Sequence, residues 1–198
     1  MMTRFTRAIT AMCVWAIGGI GSAQAELPLS QDSIPLAISI IYPIQTAGLD
    51  MSIHGLRLNL LYGLNQDLNG LDVGLVNALE GGLNGYQFGA ANYVGGEFHG
   101  AQTALLLNNT RGSGAGEQLA LVNMMGGDLR GWQVGAVNTA VSVNGCQVGA
   151  VNFTESLVGI QLGIVNWTEE LDGLQIGVLN FAVGKESWKF LPIVNAAW

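Results

Sequence analysis

The sequence predicts an all-β repeat protein, a β-solenoid of about nine to ten coils of 14–16 residues, one per repeat. Two observations lead there. The first is an eight-residue phrase, cleanest at Gly173-Leu174-Gln175-Ile176-Gly177-Val178-Leu179-Asn180 and repeated at 159–166, 145–152, 131–138 and 116–123. Degenerate copies start at Gly100, Gly85, Gly70 and Gly55, so from Gly55 onward the starting glycines are 15, 15, 15, 16, 15, 14, 14 and 14 residues apart. The second is local pattern. Each unit carries glycines that cost about 1 kcal/mol apiece in a helix interior. Leu174-Gln175-Ile176 alternates with the period of two expected of a strand.

The N-terminal segment is set apart from this fold. Arg4 and Arg7 precede an apolar run at residues 9–20, and Ala23-Gln24-Ala25 has the small-x-small pattern of a signal-peptidase site, so residues 1–25 read as a secretory signal peptide. The apolar run is too short to span a membrane as a helix. Cys13 would suit a lipoprotein signal, but Met12 is bulky where such signals want a small residue. The whole chain has a formal charge of −7; without residues 1–25 it keeps 5 basic and 14 acidic residues, a balance of −9. That balance argues against nucleic acid and anionic lipid as partners. Cys146 is then the only cysteine, which excludes an internal disulfide and a cysteine-zinc cluster.

Residues 26–54 predict an N-terminal cap or atypical first strand. Pro28, Pro35 and Pro43 fall here, and the last two flank an apolar stretch of branched residues that favours strand. Stacked units need such ends, because terminal faces otherwise expose core and unpaired backbone. The repeat domain spans 55–187. Within each phrase the period of two slips at Ala136-Val137, Ala150-Val151, Ile164-Val165 and Val178-Leu179. A bend at the preceding glycine (Gly135, Gly149, Gly163, Gly177) is expected to turn both neighbours inward, giving apolar columns such as Ile176, Val178 and Leu179 that supply most of the stability. The segments between phrases, such as Thr168-Glu169-Glu170-Leu171-Asp172, hold most charges and read as solvated turns.

Alignment of the units yields two amide columns. The third position is Arg57 and Asp72, then Gln87, Gln102, Gln118, Gln133, Gln147, Gln161 and Gln175; the eighth is Asn77, Asn92, Asn123, Asn138, Asn152, Asn166 and Asn180. Identical amides stacked about 4.8 Å apart can bond to one another in ladders. Each Asn also has a donor left to cap a turn.

An alternative satisfies the same period: an antiparallel outer-membrane β-barrel with one strand per repeat, acting as a small pore or structural protein. Residues 190–198 favour it, because apolar residues alternate there and the chain ends on Trp198. Tyr93, Phe153, Trp167 and Phe181 would supply an interfacial girdle. Three points favour the solenoid. The alternation slips, the connectors are uniformly short, and antiparallel strands would send successive Asn residues to opposite rims.

The stretch Gly55-Leu56-Arg57-Leu58-Asn59-Leu60-Leu61-Tyr62-Gly63, the unit Gly70-Leu71-Asp72-Val73-Gly74-Leu75-Val76-Asn77, the GxQxGxxN copies and residues 190–198 resemble the bacterial surface-repeat family first named from leptospiral proteins. The resemblance covers most of the chain after residue 25. It implies a location in the envelope, on the cell surface, in the outer membrane or in the periplasm of a diderm bacterium, and it implies no activity. The fourth unit departs from the pattern: Thr103 and Ala104 replace the apolar–Gly pair and Asn108 falls one place late, so a bulge is expected near residues 100–116.

Reactive constellations are sparse. His54 and His99 lack partners at ligand spacing. The acidic turns (Asp67, Asp128, Glu155, Glu169, Glu170, Asp172) could hold calcium, but the glycine-aspartate nonapeptide of calcium-binding β-rolls is missing, so a solvated face is the expectation. Gly112-Ser113-Gly114-Ala115-Gly116 lacks the Lys-Ser/Thr ending of a phosphate loop and reads as a flexible insertion. Cys146 falls in an apolar column and reads as a small core residue. Asn108, Asn152 and Asn166 head glycosylation-like triplets, the last two of them in the ladder. The expected function is that of a non-enzymatic envelope or surface scaffold without cofactor or metal, presenting a flat face to an unidentified ligand.

Overall fold

A computed structural model describes residues 33–198, and all regular structure among them is strand. The predicted signal peptide, with Cys13 and Pro28, lies outside the described residues. The elements in order are β1 (Ser33–Ile41), β2 (Ile44–Gln45), β3 (Ser52–Asn65), β4 (Leu68–Leu79), β5 (Leu83–Val94), β6 (Phe98–Thr110), β7 (Gly114–Leu119), β8 (Val122–Met125), β9 (Asp128–Val134), β10 (Val137–Val148), β11 (Val151–Ala182) and β12 (Phe190–Ala197). They form a stack of about nine solenoid turns.

Successive repeats run parallel and in register. Gly55 pairs with Gly70, Gly70 with Gly85, Gly85 with Gly100, Gly100 with Gly116, Gly116 with Gly131, Gly131 with Gly145 and Gly145 with Gly159. The antiparallel barrel is thereby excluded. Its terminal-strand signal has another use: β12 does pair antiparallel, but only with β11, where it lies across the last coil. At the other end β1 runs parallel to β3 and covers the first coil, with β2 folded back on it. Both outer strands contain a proline, Pro35 in β1 and Pro192 in β12. A residue without an N–H is tolerated on such an edge and discourages further pairing there.

Each coil folds back on itself at the fifth position of the phrase. The strands break there between Leu119 and Val122, Val134 and Val137, and Val148 and Val151. The fourth repeat takes up its extra residue at the same place: Gly89 pairs with Ala104 but Ala91 with Leu107, a bulge at Leu105-Leu106. Asn108 thereby regains its place in the stack.

Which side chains face inward differs from the sequence expectation. Ile176, Val178 and Leu179 point outward and are 40%, 61% and 38% exposed. The glutamines at the third position are interior, so the residues flanking them in the same strand must face out. The apolar core sits instead at the opposite end of the coil, on residues two before the starting glycine and two after the Asn: Leu68, Leu83, Leu129, Val143 and Leu157 with Leu79, Val94 and Met125. The segments read as solvated turns thus hold the core; Thr168 is buried and Leu171 packs against the core. Gly114 is no flexible insertion either. It belongs to β7 and pairs with Phe98, whose fully buried ring fills the space a Cβ on Gly114 would need.

Candidate functional site

The predicted site residues all face the interior, where they form two hydrogen-bonded ladders. Gln87, Gln102, Gln118, Gln133, Gln147, Gln161 and Gln175 are at most 1% exposed. Each Nε2 donates to the preceding rung: Gln102 to Gln87 at 3.0 Å, then Gln118 to Gln102, Gln133 to Gln118, Gln147 to Gln133, Gln161 to Gln147 and Gln175 to Gln161, all at 2.8 Å. The asparagine ladder runs the other way. Asn77 donates forward to Asn92, and the chain continues through Asn123, Asn138, Asn152 and Asn166 to Asn180 at 2.8–3.0 Å. Asn108 links Asn92 to Asn123.

The second proton of each Asn amide explains why the residue recurs three places after a glycine. Asn77 donates to the Phe88 carbonyl, Asn123 to Val134, Asn138 to Val148, Asn152 to Leu162 and Asn166 to Ile176, all at 2.8–2.9 Å. Each acceptor is the fourth position of the next coil, immediately before the bend. The carbonyl there already accepts a backbone N–H from the preceding coil, as Val148 does from Gly135 at 3.0 Å. The Asn amide fills its second lone pair, a bond worth about 0.5–1.5 kcal/mol. The asparagine therefore closes a bend that the glycine opens. Several glutamines likewise reach the ninth-position carbonyl of their own coil, as Gln133 does to Thr139 and Gln175 to Phe181, both at 3.0 Å.

Three interior polar residues start the ladders at the N-terminal end: Arg57 and Asp72, which head the third-position column, and Asn59, which the sequence reading of the columns missed. Gln87 needs an acceptor on the preceding rung and finds Asp72 Oδ2 at 3.0 Å. The Asp72 charge is met by Arg57, whose Nε and Nη2 donate to the two carboxylate oxygens at 2.8 and 2.6 Å, with both side chains fully buried. Arg57 also donates to Asn65 and to the Ala78 carbonyl. Asn59 stands where later units have their bend glycine and donates to Asn77 Oδ1 at 2.8 Å, starting the second ladder. Its place in Gly55-Leu56-Arg57-Leu58-Asn59, in the column of bend glycines, was the available signal. At the C-terminal end Gln175 Oε1 and Asn195 Nδ2 are buried without partners. They occupy paired positions of β11 and β12, and Lys185 holds Asn195 through its Oδ1 at 2.9 Å.

No ligand-type chemistry converges elsewhere among the described residues. No group of three or more His, Cys, Asp or Glu side chains stands close enough to hold a metal ion. His54 and His99 are exposed on the outer surface. Asn108, Asn152 and Asn166 are buried, closed to a glycan in the folded chain. Cys146 is not a core residue: it lies at an outward position, half-buried, and that burial raises its thiol above the ordinary value, keeping it protonated.

The outer surface is divided just as sharply. In every coil, positions four to seven around the bend carry no charge, and Thr103 is the only outward polar side chain among them. Val73, Leu75, Leu119, Leu121, Ile164 and Val178 are exposed there. The charges Glu80, Glu97, Arg111, Asp128, Arg130 and Asp172 are exposed at the connector end. Aromatic residues flank the apolar region on both faces. Tyr86 and Trp132 stand at the second position. Tyr93, Phe153, Trp167 and Phe181 stand at the ninth, Phe153 and Trp167 stacked at 4.0 Å and Arg111 lying 5.5 Å above the Tyr93 ring. Between β1, β3 and β4 the apolar surface dips into a groove of about 640 Å³ lined by Ile38, Ile40, Leu58, Leu60, Val73 and Leu75. Comparison with protein-family models, with curated proteins and with solved structures finds no match to this chain.

Proposed function

We propose that the protein is a non-enzymatic binding scaffold of the bacterial envelope, exported through residues 1–25, whose stacked coils present an outward surface to a ligand at or near the cell surface. The observation that carries this reading is the uncharged apolar row at the bends, repeated coil after coil over an interior in which polar side chains are spent on one another. Interior amides engaged in ladders are unavailable to a substrate, so recognition falls to the outside. Apolar surface of this extent marks an interaction site. The resemblance of the repeat phrase to the leptospiral-type surface-repeat family supports an envelope address.

The test is fractionation of cells producing the full chain, with protease applied to intact cells. The expected outcome is recovery of the chain in the envelope fraction, and retention in the cytoplasm after deletion of residues 1–25. Recovery of the full-length chain in the cytoplasmic fraction would overturn the proposal.

A further inference from the structure

Resting on the envelope reading, the geometry points to a lipid bilayer surface as the ligand: we infer that the bend edge of the solenoid sinks its apolar row into the acyl region of a membrane, with the solenoid axis lying in the membrane plane.

Three features of the surface select lipid over another protein. The apolar residues wrap an edge rather than cover a face. Position four (Val73, Leu119, Ile176) lies on one side of the bend, position seven (Val151, Leu179) on the other and position six (Leu75, Leu121, Ile164, Val178) at the crest, and all are exposed. Two such convex edges would touch along a line and leave both flanks wet, whereas a fluid acyl layer covers crest and flanks together. The edge is also long. Nine coils at about 4.8 Å give roughly 40 Å, and positions four to seven span about 10 Å, so the footprint is about 400 Å² even before its flanks are added. β1 extends it with Ile38, Ile40 and Ile41, each 43–50% exposed.

The second feature is the flanking rows. Tyr86 and Trp132 on one face and Tyr93 and Trp167 on the other lie between the apolar crest and the charged connectors. Tyr and Trp favour the level where hydrocarbon meets headgroup, so their rows would mark the depth of insertion on both sides. The third is the backbone. Along the side of a parallel stack every strand has a neighbour above and below, and the asparagines supply donors to the bend carbonyls. Most peptide groups of the inserted edge are therefore paired within the stack, the fifth-position carbonyls such as those of Gly135 and Gly149 excepted, which lowers the cost of entering hydrocarbon. The acidic excess at the connectors is held away from the bilayer and repels anionic headgroups. The lipid is therefore zwitterionic, and binding follows apolar area rather than salt.

The experiment is flotation of the full-length chain with phosphatidylcholine vesicles, beside vesicles containing an anionic lipid. Three forms are compared: the unaltered chain, a quadruple variant Leu75→Glu, Leu121→Glu, Ile164→Glu and Val178→Glu, and the connector variant Glu80→Gln. The expected result is that the unaltered chain and the connector variant float with phosphatidylcholine at any salt concentration, with blue-shifted tryptophan emission. The quadruple variant, whose substitutions face outward, should keep its circular-dichroism spectrum and partition at least about tenfold less. Its signal peptide is untouched, so it should still be exported. Equal flotation of the quadruple variant, failure of the unaltered chain to float, flotation only with anionic vesicles, or a discrete dimer that dissociates on the four substitutions would each overturn the inference. A chain that reaches the envelope yet ignores lipid refutes this inference alone, while a chain that stays in the cytoplasm refutes the envelope reading beneath it. Should the quadruple variant misfold, Leu121→Glu and Ile164→Glu singly carry the same expectation at about threefold each.

Discussion

Asn138 shows what a single rung contributes. Its amide accepts from Asn123, donates to Asn152 and caps the Val148 carbonyl, all without solvent. Asn138→Ala would strand two partner amides and remove one of the two bonds to the Val148 carbonyl, so a loss of about 2–4 kcal/mol is expected from urea unfolding. The buried ion pair at the start of the glutamine ladder should behave differently. Asp72→Asn leaves the Arg57 guanidinium buried beside a neutral group, and about 3–5 kcal/mol should be lost. Replacing both residues by glutamine continues the column as it stands in the later coils, and the double variant Arg57→Gln/Asp72→Gln should recover most of that loss. A double variant no better than Asp72→Asn would show that the Arg57 bonds to Asn65 and Ala78 matter more than the charge.

At the scale of the element, the coil is a device for placing two inward amides and one bend within eight residues. The starting glycine makes the stacking possible. Gly85 has a φ of +141°, and a Cβ built on it would collide with the Gly70 carbonyl of the coil below. The obstruction is backbone and cannot move without parting the coils. Gly85→Ala is therefore expected to cost at least about 3 kcal/mol or to abolish folding, read from the midpoint of chemical denaturation. Gly48→Ala, where the nearest atom is a movable Asp50 side-chain oxygen, should be close to neutral. The outer residues of the coil follow from its inner ones. Since Gln and Asn occupy the interior around the bend, the apolar neighbours have only the outside left, and the core retreats to the connector.

For the whole molecule, the stack is limited by its ends. Each coil templates the next through parallel backbone pairing and two ladders with a direction, so an uncovered end would accept another chain. β12 prevents this at the C-terminal end by lying antiparallel over the last coil, a direction that the repeat register does not continue. Deletion of residues 188–198 should expose the last rung and produce end-to-end assemblies whose size grows with concentration in light scattering. A truncated chain that remains monomeric would show that β12 is dispensable as a stop. The long apolar edge is a property of this scale too, since no single coil exposes enough apolar surface to matter.

Much of this protein was legible in its residues. The spacing of nine glycines fixes a repeat and favours parallel coils in register over the barrel of the same period, because stacking of like on like accounts for amides that recur with that period; the strand pairing decides between them. The columns Gln87 to Gln175 and Asn77 to Asn180 follow directly. Even the phase was implicit: a strand that turns Gln175 inward must turn Leu174 and Ile176 outward, and the habit of burying apolar residues obscured it. What the tertiary structure alone decided lies in relations between distant residues. These include the pairing of Arg57 with Asp72 as the ladder's first rung, the substitution of Asn59 for a bend glycine, the filling of the space above Gly114 by Phe98, and the reversal of β12. Sequence period specifies a neighbour one unit away, but how an irregular unit fits or where a stack stops depends on shape and hydrogen bonding that exist only once the coils are assembled.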